Sequence, residues 1–319
     1  MNTAERAVAN KRRNLSMESQ GDLLSRIGQT PLLPLRRILP DGPGVSLWAK
    51  WEGANPSGSL KDRIVHRIVS DAQTDGSLTP GMTVVEASSG NTGIAMGMVG
   101  ALMGLRMRVY MPETKSLERR RLMRFWGVDL HLTSGEDPNS HIHAAEALVR
   151  ESPNEYFYLN QNGCQGNVVA HADGTAAEIF AQTNGRVDVV IASLGTSGTV
   201  MGLGSWFREH KPAVRIISVE PAQAQSRIEG LLFVSPDYVP PIYDAGLVDQ
   251  TIHISDEDAI AEVRRLAQSE GLFCGISSGA CTAAARQLAP ELDGKCVVVV
   301  LADRGDRYLS TDLFKGVEA

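Results

Sequence analysis

Two hydrophobic rhythms alternate along this chain. Short runs rich in β-branched residues read as buried strands, and longer stretches with apolar residues three and four apart read as helices with one covered face. The opening pair is a turn, Ile27-Gly28-Gln29-Thr30-Pro31-Leu32, leading into an extended segment, and the strand Ser46-Leu47-Trp48-Ala49-Lys50-Trp51. A helix follows with Ile64, Val65, Ile68 and Val69 inward, and then the short strand Thr83–Ala87. From Ile94 to Leu105 the chain is apolar on every side, with Gly97, Gly100 and Gly104 allowing close approach, which predicts a helix buried between a sheet and another layer. Strand, helix, strand and helix succeed one another over 106–111, 116–126, 128–132 and 139–151, and 156–159 is a further strand. That order is the βαβ grammar of a parallel sheet.

The stretch Asn160 to Asn167 is too polar for an element interior and reads as a loop at a lobe boundary. Beyond it the same grammar resumes: a buried strand over 187–194, the tight turn Gly195-Thr196-Ser197-Gly198-Thr199, a helix over 200–209 and a strand over 214–219. Residues 222–246 are irregular and Pro-rich, a length that inside a compact domain marks a lid or substrate wall. Ser255 caps a helix that opens with Asp256, Glu257 and Asp258 and turns Ile260, Val263, Leu266 and Ala267 inward. The loop Phe273 to Gly279 leads into a helix over 280–288, and 295–301 is the last core strand.

Length agrees with two lobes, since 319 residues exceed what one hydrophobic core usually serves. Apolar residues at 43% and charged ones at 21% are ordinary for a soluble globular protein. The net charge of −6, with arginines scattered and no basic stripe, argues against nucleic acid or an anionic membrane surface as partner. Cys164, Cys274, Cys281 and Cys296 show neither C-x-x-C pairing nor a histidine at metal spacing. They read as reduced thiols of a cytoplasmic protein with no metal site. Residues 1–20 are polar with both signs of charge and no apolar core, so they read as a disordered or docking extension rather than a signal peptide.

Three turns and one lysine carry the candidate chemistry. In Asn55-Pro56-Ser57-Gly58-Ser59-Leu60-Lys61-Asp62-Arg63 the lysine falls at a loop-to-helix junction facing inward. There a partly desolvated amine has a lowered pKa and can form a Schiff base with a carbonyl cofactor; the other reading is a surface lysine at a helix start. Gly195 to Thr199 converges backbone amides and a positive helix end on one point, which suits a phosphate or is plain architecture. It has neither a Walker lysine nor GxGxxG order, so triphosphate and dinucleotide readings weaken. Ser88-Ser89-Gly90-Asn91-Thr92-Gly93 offers hydroxyls and amides to a carboxylate and the Asn91 amide to a phenolate oxygen, or is a helix cap with its turn. Ser277 presents a neutral hydroxyl at a third junction, suited to a pyridine nitrogen or, again, to a helix cap.

In this order, from Asn55 to Gly279, the four elements resemble the cysteine synthase family of fold-type II pyridoxal-phosphate enzymes. The likeness runs from Ile27 to Phe314 and is nearest to the family's B branch, through Leu117-Glu118-Arg119-Arg120, Glu270-Gly271-Leu272-Phe273-Cys274-Gly275 and Asp303 to Thr311. It implies an α/β fold of the tryptophan synthase β type: two lobes, three αβα layers and parallel-rich twisted sheets. Residues 1–165 would hold the lysine and the carboxylate turn, with about 23–52 packed on the other lobe, and 166–319 would bind the phosphate. It further implies pyridoxal 5′-phosphate on Lys61, Asn91 at the ring oxygen, Gly195, Thr196, Ser197, Gly198 and Thr199 around the phosphate and Ser277 at the pyridine nitrogen. Ser88, Ser89, Gly90, Thr92 and Gln161 would grip the amino-acid carboxylate.

The implied reaction is β-replacement on an O-activated L-serine, O-acetylserine or O-phosphoserine, through aminoacrylate, with sulfide giving L-cysteine. A homodimer goes with the resemblance. Two departures alter the substrate walls. Val168 stands where the family usually has proline after Asn167, and Ser226 to Phe233 lacks the adjacent arginines typical of the B branch, leaving Arg227 as a contact for an anionic leaving group or cosubstrate. A specialised relative using an amine or other nucleophile, for instance toward a diaminopropionate precursor, is the alternative. A serine/threonine dehydratase or cystathionine synthase-type lyase of the same fold is the rival class.

Overall fold

Strands β7 (Val189–Ser193) and β10 (Cys296–Leu301) are continuous apolar runs, the pattern of parallel strands covered on both faces. They lie at the centre of a six-stranded sheet ordered β1-β2-β10-β7-β8-β9, with β1 Leu32–Pro34, β2 Ser46–Trp51, β8 Arg215–Pro221 and β9 Gln250–Ile254. Only the β1–β2 pairing is antiparallel. Val297, Val299 and Leu301 enter one apolar layer while Val298 and Val300 enter the other, so one strand serves two cores. The second sheet is four-stranded and wholly parallel, ordered β5-β4-β3-β6, with β3 Thr83–Ala87, β4 Arg106–Pro112, β5 Asp129–Thr133 and β6 Tyr156–Tyr158. This computed structural model describes residues 22–39, 44–137, 139–236 and 238–317; the polar extension expected over 1–20 lies outside the described residues.

Around the smaller sheet lie α1 (Lys61–Asp75), α2 (Asn91–Met103), α3 (Leu117–Phe125) and α4 (Ser140–Glu151). Around the larger one lie α5 (Gln165–Ala170), α6 (Ala177–Gln182), α7 (Gly198–His210), α8 (Asp256–Arg265) and α9 (Ile276–Leu288). Helix α2 is buried along most of its length, as its all-round apolar pattern predicts. A Cβ on Gly97 would stand 2.8 Å from Trp126 and one on Gly100 2.5 Å from Met107, so both glycines allow the helix to touch its neighbours. Gly104 serves the backbone instead. Nothing lies within 4 Å of where its Cβ would be, and its φ of +66° ends the helix in the left-handed conformation.

Two elements depart from expectation. The loop expected over 160–167 turns helical at Gln165, and α5 continues through a wide π turn, His171–Ala176, into α6. Packing against α1 and α7 overrides the weak local propensity of Gln-Gly-Asn. The strand β9 had no counterpart in the pattern reading; it is an edge strand with only Ile252 and Ile254 buried. Among the described residues no helix is long and apolar enough to cross a membrane.

A buried charge cluster fastens α1 to the larger sheet. Arg63, two residues past Lys61, bonds Glu52 at the end of β2 (Nε to Oε2, 2.7 Å) and Glu178 on α6 (Nη1 to Oε1, 2.7 Å). Lys50 of β2 completes it at 2.6 Å from Glu178. Removing one member of such a buried set leaves its partner uncompensated, at a cost of about 3–5 kcal/mol. The consequence for the site is a fixed start of α1.

Candidate active site

The lysine loop is built by its own side chains. Asn55 donates to the Glu52 carbonyl at 2.9 Å, Gly58 turns with φ +92°, and Asp62 accepts from the Ser57 amide at 2.7 Å and from the Ser57 hydroxyl. Leu60 donates to the Ala302 carbonyl at 2.9 Å, tying the loop to the end of β10. Lys61 therefore emerges as the first residue of α1, at a pocket by the C-terminal ends of β7 and β10. That is where open parallel sheets hold ligands. Its amine has no hydrogen-bond or ion-pair partner among the described residues. Burial lowers its pKa to about 8 against the opposing pull of Asp303 and Glu86.

Lys61, Asn91, Gly195, Thr196, Ser197, Thr199 and Ser277 line this one pocket. The turn from β7 into α7 is packed without slack. A Cβ on Gly195 would stand 2.2 Å from the Gly230 carbonyl, and one on Gly198 would stand 2.0 Å from Asn167 Oδ1. Ser197 adopts φ +69°, and its hydroxyl is buried without a partner. Thr196 accepts from Asn167 Nδ2 at 2.9 Å, and Thr199 meets His171 Nε2 at 3.2 Å. His171 stays neutral, because burial and then the Lys61 charge hold its pKa at about 3. The Ser277 hydroxyl, on the second residue of α9, also has no partner among the described residues.

The turn after β3 is cross-braced. Ser88 Oγ accepts from the amides of Gly90 (3.2 Å) and Gly93 (3.1 Å) and so braces the turn, while the cap position of α2 itself falls to Gly90 and not to a serine. Thr92 Oγ1 donates to Gln161 Oε1 at 2.5 Å, which brings together two residues 69 apart in sequence. Asn91 donates to Asp303 Oδ2 at 2.7 Å and accepts from Arg307 at 2.6 Å; its amide keeps one N–H for a ligand. Arg119 donates to the Ser89 carbonyl at 3.3 Å.

The structure does not bring Arg227 to this cluster. Its side chain is 53% exposed and engaged by Asp256 (3.1 Å), Glu257 (2.7 Å) and Asp312 (2.5 Å), which leaves no free charge for an anionic ligand. Five residues without an expected site role do belong. Glu86 is fully buried and accepts from the Ala87 amide (2.9 Å) and the Gln161 amide (3.1 Å), and burial pushes its carboxyl up to about 7. Asn167 joins the Gln161 carbonyl (2.8 Å) to Thr196. Asp303 receives Asn91 and the Tyr308 hydroxyl (2.8 Å) on one oxygen, while its other oxygen is buried and unpartnered. Arg119 and Glu229 form an ion pair across the mouth. The motifs around Arg119 and Asp303 were visible in sequence, but nothing local to them names a partner more than 100 residues away.

A free amine, an unpartnered hydroxyl at a helix start and an amide-rich turn with an orphaned buried serine oxygen fit the aldehyde, ring nitrogen and phosphate of pyridoxal phosphate. Comparison with known proteins agrees. The family described as pyridoxal-phosphate dependent enzyme matches residues 23–303. A cysteine synthase B of Salmonella typhimurium is 41% identical over 288 residues, 90% of this chain and 94% of that protein. The crystal structure of a cysteine synthase from Entamoeba histolytica superposes with a TM-score of 0.88 at 38% identity, covering 94% of this chain and 92% of that one. An O-ureido-L-serine synthase structure reaches 0.87 at 36%, covering 93% and 96%.

Proposed function

This chain belongs to the pyridoxal-phosphate dependent enzyme family, and on that footing we propose that it is a cysteine synthase, replacing the activated oxygen at Cβ of an O-activated L-serine by sulfide. The observation that carries the reading is the unpaired Lys61 amine, lowered to about 8, sharing one pocket with Asn91, Ser277 and the Gly195–Thr199 turn. At pH 7.5 an ordinary lysine is neutral in about one molecule in a thousand, whereas one titrating near 8 is neutral in about one in four. That difference turns Lys61 into a usable base and nucleophile.

When bound, pyridoxal phosphate withdraws electrons from Cα, which makes its proton removable and loosens the Cβ–oxygen bond. The protein's part is positional. Amides of Gly195 to Thr199 and the hydroxyls of Thr196 and Ser197 would hold the phosphate group, the second N–H of Asn91 would serve the ring oxygen, and the Ser277 hydroxyl would serve the ring nitrogen. Ser88, Ser89, Gly90, Thr92 and Gln161 hold the substrate carboxylate. Lys61 takes the Cα proton, the leaving group departs with the Cβ–oxygen electron pair, and Lys61 returns the proton to Cα after sulfide has added at Cβ. The proposal includes a homodimer acting in the cytoplasm, supported by the family likeness and by four cysteines, none of them in a disulfide.

The test is product stoichiometry with the holoenzyme. One acetate and one cysteine per O-acetylserine, both dependent on sulfide, is the expected result. Keto acid and ammonia formed without a second substrate would replace this reading by a dehydratase. The likeness to an O-ureido-L-serine synthase supports a second reading with another nucleophile, and donor consumption that sulfide fails to speed would favour it.

A further inference from the structure

The mouth of the pocket carries a charge arrangement that bears on which leaving group the site admits. Glu229, on the long irregular segment between β8 and β9, lines the same pocket as Lys61, Asn91 and Thr196. Its placement is rigid: the Gly230 carbonyl is seated on Gly195, and Leu232 donates to the Leu194 carbonyl at 2.8 Å. Among the described residues its carboxylate pairs with two cations. One is Arg119 of α3, nearly wholly buried and directly paired, and the other is Lys115, 3.7 Å away.

Arg307, beside Asn91, and the more distant Arg227 are already engaged. Arg307 is bound to Asn91 and to the Ser57 carbonyl, and Asp306 lies 3.7 Å from its Nε. Arg227 is engaged by three carboxylates, and Asp303 and Glu86 are buried acids. A phosphate dianion entering here would meet the Glu229 carboxylate, which lines the pocket where Arg119 and Lys115 do not, and like-charge juxtaposition in a partly desolvated mouth is strongly disfavoured. An uncharged acyl ester meets no such opposition.

Resting on the β-replacement reading, we propose that Glu229 sets the leaving group: by occupying Arg119 and Lys115 it rejects O-phosphoserine and makes the site one for O-acylserines. The arrangement also yields a gain of function, because Glu229→Gln removes the repelling charge and releases both cations.

The experiment compares holoenzyme and Glu229→Gln in two ways. The first is kcat/KM for O-acetylserine and O-phosphoserine with sulfide. We expect the wild type to favour the acetyl donor and the variant to shift the ratio toward the phosphoryl donor by about tenfold or more, a shift that shrinks at high salt. The second is calorimetric binding of 2-amino-4-phosphonobutyrate, which keeps the phosphate-like charge but has carbon in place of the leaving oxygen. The variant should bind it about tenfold more tightly, and adding Arg119→Gln should abolish the gain. An unchanged donor ratio with unchanged phosphonate affinity overturns the proposal, as does a wild type that prefers O-phosphoserine. Should the wild type turn over neither donor with sulfide, the β-replacement reading fails, and the phosphonate titration still decides what Glu229 does.

Discussion

Two turns face each other across the pocket, built by the same strand-to-helix plan and held in opposite ways. The turn after β7 is anchored within its own half: Asn167, His171 and the Gly230 carbonyl pack against it, and its glycines leave no room for a side chain. The turn after β3 is braced from the other half by Asp303 and Arg307, which follow β10, and from its own by Arg119 of α3 and Gln161. A cradle fixed by packing suits a resident group that stays through every turnover. A turn held by hydrogen bonds that a substrate can replace suits a ligand that comes and goes.

Breaking the packed turn should do the most damage. Gly198→Ala places a Cβ 2.0 Å from Asn167 Oδ1, so the turn and Asn167 must part. Overpacking of this kind costs about 1–3 kcal/mol, and we expect cofactor affinity to fall by about 100-fold, read as pyridoxal phosphate retained after dialysis. The braced turn should respond in substrate binding instead. Thr92→Val removes the bond to Gln161 and should raise the donor KM by about tenfold, with cofactor content unchanged. A loss of cofactor in that variant would erase the distinction between the turns. Arg227→Ala should do least: its ion pairs are exposed and lie outside the pocket, so the donor KM should stay within about twofold. A larger rise in KM would return Arg227 to the substrate's surroundings.

The alternating strands and helices were readable because both sheets are parallel-rich and buried, so their apolar runs and periods are strong. What escaped was set by partners distant in the chain. The segment from Gln165 to Ala170 looks too polar for a helix until α1 and α7 close on it, with Gly166 against Ile68 and Gly198 against Asn167. That Lys61, Asn91, Ser277 and the Gly195–Thr199 turn line one pocket could be anticipated because each sits at a local junction with its own punctuation of Gly and Ser. Glu86 looks in sequence like one acid at a strand end, and only its burial beside Lys61 and Gln161 reveals its part. Arg227 misled for the opposite reason: a lone cation in a lid-like loop invites an anion, and three acids from elsewhere in the chain had already taken it.

The central claim is that Lys61 holds the cofactor as an amine made neutral by its surroundings. Apoprotein mixed with pyridoxal phosphate across a pH series, trapped with borohydride and mapped by peptide mass, tests it directly. Only the neutral amine attacks an aldehyde, so labelling should fall on Lys61, rise with pH and reach half its maximum near pH 8, and Lys61→Ala should take up no label in the pocket. Label on another lysine, or a midpoint near the ordinary lysine value above 10, would contradict the account.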